Sequence, residues 1–277
     1  KESGESIVHL IGNVKIEDES TKITCAEADL HETHNYVILY EDVKIVDKNG
    51  EINSDYAVYN FAKEKGNLRG NVSLFTSDEI ISADSLYYDG MNDLVQMFKN
   101  VKIEDKENNL VAYGGSGWYN LKEEEGFLVD DPKLEILRED KEPIKIRAQS
   151  FQLVNRNNTF YGYDSVIALI DSINVYCDTF LYNLKTESGS LVNPIIVEEN
   201  NELKGETGEF KMKDKDIESF SVRNGWSRYY TKEGSRNVVE GEDINIVFQE
   251  GKATKIIVNG QPEGVLYLKR GEEGAGD

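Results

Sequence analysis

The sequence predicts an all-β chain, a V-shaped, folded-over antiparallel sheet of about nine stacked repeats, on three observations. The first is a column of Asn, Asp, Ser or Gln just before Val, Pro or Gly. It stands at Asn13, Asp42, Asn71, Asn100, Asp131, Ser165, Asn193, Asn224 and Gln261. The steps from 13 to 42 to 71 to 100 are each 29 residues, and a fixed period of that size marks units that bury their apolar faces only by stacking. The second is a small residue at Ala26, Ser54, Ala83, Gly114, Ala148, Cys177, Gly205 and Gly241. It is followed by Glu27, Asp55, Asp84, Gly115, Gln149, Asp178, Glu206 or Glu242, mostly acidic or polar. Five positions after the small residue comes His31, Tyr59, Tyr88, Tyr119, Leu153, Tyr182, Phe210 or Ile246. The third is the alternation of β-branched or aromatic runs (YVILY, LVQMF, KIIV) with polar turns (HETHN, DKNG, KTESG), with no helical period.

Each repeat is expected to supply two strands. One passes through the Asn column, as from Tyr36 to Ile45; the next passes through the acidic column, as from Glu51 to Tyr59. Around the small residue, apolar side chains stand two before it (Ile52, Ile81, Ile146, Val175, Leu203, Val239), then three and five after. Side chains alternate along a strand, so this switch of parity requires a bulge or bend. In the Asn column the next residue is proline at Pro132, Pro194 and Pro262, three of the four prolines. Proline has no N–H to give a ladder, and Asn or Asp bonds its own local backbone, so this column also reads as a bend. The polar positions should then alternate along one crease: Asn13, Glu27, Asp42, Asp55, Asn71, Asp84, Asn100. Counting one crease per strand predicts 17 creased strands.

Counted from the Asn column, apolar residues recur three before (Leu10, Leu39, Leu68, Met97, Leu128), one after (Val14, Val43, Val72, Val101, Val166) and three after (Ile16, Ile45, Leu74, Ile103, Leu134, Ile196). They form an apolar interior, and a V that stays open would present it as a groove for an apolar ligand. The members up to Leu134 are the candidate ligand-lining set. Near the C-terminus Gly162, Ser190 and Ser221 stand where Leu is expected and Ser227 where Ile is, so that end should be filled differently.

The 277 residues carry 31 basic and 52 acidic side chains, a net charge of −21. Such a surface repels phosphate backbones, which argues against nucleic acid as a partner. No run is long and apolar enough to span a membrane as a helix. With no linker or change of charge regime, 1–277 reads as one continuous domain, with repeats over about 7–268 and a flexible tail at 269–277. Cys25 and Cys177 fall on the first and sixth acidic-column strands, ten strands apart, and are expected to be unbonded thiols. His31 and His34 flank Glu32 in a turn that reads as solvated, and no metal or cofactor is expected. Gly114–Gly117 looks like a phosphate loop but sits within a repeated strand without a following helix, so it reads as the fourth crease. No nucleophile elbow or zinc-protease motif is present, and the chain is not expected to be an enzyme. The terminal strands are expected to be docking edges for another chain: that around Ile7–Ile16 is poorly protected, and that at Gly264–Lys269 is apolar but follows Pro262 and precedes a charged tail.

The segments GNVKIEDESTKITCAEADL, GNVSLFTSDEIISADSLYY and KNVKIEDKENNLVAYGGSGWY resemble the OstA-like family of lipopolysaccharide transport, which includes LptA and the periplasmic N-terminal part of LptD. The shared pattern is the G-N-V start, the small–acidic pair after Ile, and the aromatic that closes the strand. The resemblance implies a periplasmic β-jellyroll holding the acyl chains of lipopolysaccharide or a related lipid in its interior. It also implies head-to-tail stacking on itself or related domains towards the outer membrane. The competing expectation is a non-lipid β-repeat spacer with a closed interior.

Overall fold

The computed structural model describes residues 7–18, 20–231, 234–249 and 252–266; the expected tail at 269–277 lies outside them. The described chain is all-β and antiparallel, of the folded-over jellyroll class, with three single turns of 3-10 helix as the only helical pieces. Strands β1 (Ile7–Glu17), β2 (Lys22–His31), β3 (Tyr36–Asp47), β4 (Gly50–Asn60), β5 (Lys65–Phe75), β6 (Glu79–Asp89), β7 (Leu94–Asp105) and β8 (Leu110–Asn120) each run unbroken through a crease. So do β13 (Thr159–Ile170), β14 (Ile173–Asn183), β19 (Asp216–Tyr230) and β20 (Arg236–Gln249).

Five runs are interrupted at the crease. They are β9 (Glu125–Val129) with β10 (Lys133–Arg138), β11 (Lys141–Arg147) with β12 (Ser150–Val154), and β15 (Ser188–Val192) with β16 (Ile195–Glu198). The others are β17 (Asn201–Lys204) with β18 (Thr207–Lys213), and β21 (Lys252–Asn259) with β22 (Glu263–Leu266). The 22 described strands are therefore 22 − 5 = 17 creased runs. Three of the five breaks hold Pro132, Pro194 or Pro262, where the missing N–H ends the ladder. The other two, at Ala148–Gln149 and Gly205–Glu206, fall in the next strand run along the chain after a proline-broken one.

All nine members of the Asn column have left-handed backbone, with φ between 48° and 57°. Asn, Asp and Gly tolerate that region better than other residues, which explains the composition of the column. In the pairing of β3 with β4, Val43 faces Ser54 and Tyr40 faces Tyr56, so Glu41 and Asp42 together oppose Asp55 alone. The same slip recurs between β5 and β6 and between β7 and β8. This two-against-one bulge is the predicted change of parity.

The register corrects the alignment of the first repeat. Cys25 faces Val14, and Ala26 alone opposes the bulge at Gly12–Asn13. Cys25 rather than Ala26 therefore holds the small inward position, Ala26 rather than Glu27 the acidic one, and Leu30 rather than His31 pairs at the closing position. Both cysteines thus stand in the same column, each buried and free.

The chain divides into two compact units. The first comprises the residues up to Leu137 with Gln149–Phe160; the second comprises Arg138–Ala148 and everything from Tyr161 onward. In the first unit β1 to β8 pair in chain order, β8 then pairing with β9 through one half and β10 through the other, and β12 adding to β9. The crease divides these strands into two packed sheets. Sheet I holds Tyr36–Tyr40, Tyr56–Asn60, Lys65–Arg69, Ser85–Asp89, Leu94–Phe98 and Ser116–Asn120. Sheet II holds Val43–Asp47, Gly50–Asn53, Val72–Phe75, Glu79–Ser82, Val101–Asp105 and Leu110–Tyr113.

The second unit has the same plan with a different core. Only the column residue itself is left-handed at Asn193 and Asn224, not its predecessor. The inward register moves by one, so buried Leu191 and Val222 take the places expected of Ser190 and Ser221. The interior is filled by rings in sequence: Phe180 and Tyr182 pack on Phe210 at centroid distances of 5.1 and 5.6 Å, Phe210 on Phe220 at 6.0 Å, and Phe220 on Phe248 at 5.9 Å. Ser227 is buried, as expected of a position in the Ile column.

Candidate functional site

The crease is held by a repeated clasp. The side-chain amide of Asn71 donates to Asp55 at 2.9 Å, that of Asn100 to Asp84 at 3.0 Å, that of Asn193 to Asp178 at 2.6 Å and that of Asn224 to Glu206 at 2.9 Å. The fourth repeat departs from the pattern. Gly115 replaces the acid, its N–H donates to the Asp130 carbonyl at 2.8 Å, and Ser116 bonds the Asp130 carboxylate. A Cβ on Gly115 would lie 2.6 Å from that of Asp130, which accounts for the glycine. Gly114–Gly117 is thus a strand crease, as its position in the repeat predicts.

The apolar interior lies between the sheets. Of the candidate lining set, Leu39, Val43, Ile45, Leu68, Val72, Leu74, Met97, Val101, Ile103, Leu128 and Leu134 are at most 2% exposed, and Val14 is 6% exposed. Leu10 and Ile16, on the edge strand β1, are half-buried. The sheets of the first unit therefore pack on one another and leave these side chains under cover. The second unit has a pocket of about 330 Å³ that opens at the surface among Asn201, Tyr230, Thr254 and Lys255 and reaches the buried side chains of Ile196, Leu203, Ser227 and Phe248. It lies where Ser227 stands in the Ile column, and the shorter side chain leaves space.

On the side away from the crease, a row of tyrosines crosses from sheet I to sheet II of the first unit. Tyr59, Tyr88 and Tyr119 are fully buried. The Tyr88 hydroxyl donates to Asp47, and the Asn49 amide donates to the Tyr88 oxygen at 2.8 Å and to Asp93 at 3.2 Å. The Tyr119 hydroxyl donates to Glu79, whose carboxylate also accepts from Asn155. Tyr59 meets the Thr21 hydroxyl at 3.5 Å, and Lys48 pairs with Asp93 at 3.0 Å. Burial pushes the Tyr59 phenol up to about 12 and raises Tyr88 and Tyr119 further, so all three remain donors at neutral pH. Burial also raises Glu79, partly offset by its bonds from Tyr119 and Asn155, with Asp105 and Glu124 adding to the rise. Outside these contacts is a polar space of about 560 Å³ lined by Asp47, Asn49, Glu79, Asp105, Glu124 and Asn155.

The repeat marks these tyrosines as strand-closing aromatics, and their hydroxyl partners lie outside its columns. A signal was present. Thr21, Asp47 and Glu79 precede Tyr59, Tyr88 and Tyr119 by 38, 41 and 40 residues. His31 is not in a solvated turn as expected: it ends β2, is buried, and stacks on Tyr36 with centroids 4.2 Å apart, while His9 pairs with Asp29. Among the described residues no group of three or more His, Cys, Asp or Glu is arranged to hold a metal ion. In the second unit the buried Arg138 guanidinium donates to Asp171 at 2.7 Å, Asp216 at 3.4 Å and the Glu142 carbonyl, and holds the Asp171 carboxyl below the usual range. This is a fastening between turns.

The family of OstA-like proteins matches residues 1–138, ending where the first unit reaches Leu137. No curated protein matches the sequence. Among solved structures, the chain is similar to LptH of Pseudomonas aeruginosa, described as the LptA-homologous periplasmic component of the lipopolysaccharide transport device. The TM-score is 0.36 at 10% identity, covering 40% of this chain and 82% of that one. No helix among the described residues is long and apolar enough to cross a membrane.

Proposed function

We propose that this chain, which belongs to the OstA-like family over residues 1–138, is a periplasmic scaffold for lipopolysaccharide transport. It shields the acyl chains of that lipid, or of a related one, between its two sheets. It acts by binding rather than by catalysis. The same repeat continues through both units, and we read them as one scaffold that passes lipid towards the outer membrane. Docking is by strand addition at the chain ends. Among the described residues β1 is paired only with β2 and leaves Ile7 and Ile11 51% and 70% exposed, an edge suited to a second copy or a related domain.

The observation that carries the reading is the pocket of about 330 Å³ in the second unit, which opens at the surface and reaches the buried apolar side chains of Ile196, Leu203 and Phe248; it supports occupancy by part of an apolar chain. The test is mass spectrometry of organic extracts from protein purified from its native source. The expected result is a stoichiometric acylated lipid. Protein that is consistently free of lipid, and takes up none when mixed with lipopolysaccharide, contradicts the reading. A second reading, a closed spacer, is favoured by the near-complete burial of the lining side chains in the first unit. It predicts that same lipid-free result.

A further inference from the structure

We infer that the tyrosine-latched side of the first unit is the way in for an acyl chain, opening as a seam between sheets I and II. The inference rests on the lipid-carrying reading above. At the crease the two sheets are joined by continuous strands, so separation there would break the backbone itself. On the opposite side the contacts found among the described residues are made by side chains. They are the bonds of Tyr88 and Asn49, Tyr119 and Asn155, Tyr59 and Thr21, and the Lys48–Asp93 pair.

Two rows of short turns face each other there, Asp47–Gly50 and Thr76–Glu79 from sheet II against Gly90–Asp93 and Leu121–Glu124 from sheet I. Side-chain hydrogen bonds exchange with water at small net cost, whereas a strand ladder yields only cooperatively. The polar space of about 560 Å³ brings water to Asp47 and Glu79, so replacement partners lie next to the latch. Between the latch and the crease are the fully buried apolar side chains of Leu74, Val95, Met97 and Ile103. An amphiphile entering here meets the order it requires, with polar groups at the rim and hydrocarbon inside. Its polar head stays among Asp47, Asn49 and Asn155 while its chain passes between the sheets.

The test places one thiol in the interior. Ala112, fully buried on β8 of sheet II, is changed to Cys in a background with Cys25→Ser and Cys177→Ser. Its reaction with an aromatic disulfide reagent is compared with and without Tyr88→Phe and Tyr119→Phe, which keep the rings and remove the hydroxyls. The expected result is labelling accelerated by about tenfold, with rates insensitive to low urea, as for a local opening rather than global unfolding. Uptake of a fluorescent long-chain fatty acid by the same full-length variants should accelerate in parallel.

Labelling unchanged by loss of the hydroxyls, or accelerated only in proportion to urea, overturns the seam. Fatty-acid uptake at an unaltered rate despite faster labelling places the way in elsewhere and overturns it as the port. Faster labelling with no uptake by any variant, including the unmodified chain, sinks the lipid-carrying function while leaving this side as the one that opens.

Discussion

At the scale of single residues, the crease depends on a backbone conformation and a side-chain bond supplied together. Asn100 has φ 50° and donates to Asp84 at 3.0 Å. Replacing it by Ala removes the bond and leaves a Cβ residue poorly suited to the left-handed region. Because the pair is exposed, the expected loss is moderate, about 1–2 kcal/mol. Asn100→Gly relieves the backbone cost and should lose less, a ranking that urea midpoints will check. Glu79 gives a pH-dependent counterpart. Its carboxyl titrates above its unfolded value because it is buried, with Asp105 and Glu124 nearby and Tyr119 and Asn155 as donors. The folded state therefore binds more protons than the unfolded one from about pH 4.5 up to the raised folded pKa, and stability from this group falls as pH rises through that window. Glu79→Gln should abolish the fall, making the variant more stable than the parent at neutral pH and no more stable below about pH 4. Thermal melts across pH, showing parallel curves for the two proteins, would remove this role for Glu79. The bend at this column was legible in the sequence because Asn, Asp and three prolines concentrate there, whereas its left-handed backbone is seen only in the structure. The alternation of Asn and acidic positions along the crease was legible too, but the Asn amide bonds that neighbouring acid and not, as expected, its own backbone. The tyrosine hydroxyl contacts were not legible, because they join residues 38 to 41 positions apart on different strands.

At the scale of strands, the change in apolar parity was enough to foresee the bulge, and Pro132, Pro194 and Pro262 marked three of the breaks. Registers at the ends of the repeat array were harder to read. In the first repeat the aligned small residue is off by one, because Cys25 and Ala26 are both small. Around Asn193 and Asn224 a single left-handed residue replaces a pair and turns Leu191 and Val222 inward, a difference that composition does not carry. The edge strand β1 is the element on which the proposed docking turns. Ile11, 70% exposed, makes little contribution to the core, so Ile11→Lys should change stability by less than about 0.5 kcal/mol. A charge on an edge opposes pairing with another chain, and the variant should dissociate at concentrations where the parent forms end-to-end assemblies in sedimentation velocity. Identical concentration dependence in the two proteins would argue that β1 is not a docking edge.

At the scale of the whole molecule, the repeat period and the apolar columns identified the all-β class, the count of creased strands and most of the core, because stacked units write the same burial pattern repeatedly. The state of the interior was not legible, since the same apolar columns fit an open groove and a closed pack. In the first unit, packing of the sheets and the tyrosine latch decide it in favour of closure. In the second, a ring-filled core leaves a pocket beside Ser227 that opens at the surface. The central claim is that this interior accommodates acyl chains. It is tested most directly by photo-crosslinking side chains at Leu68, Met97 and Ile103, buried between the sheets, with Lys44 and Lys102 on the outer face as controls. After illumination with lipopolysaccharide, the account predicts lipid adducts at the three interior positions and few at the two lysines. Equal labelling of both sets, or adducts at neither, would contradict it.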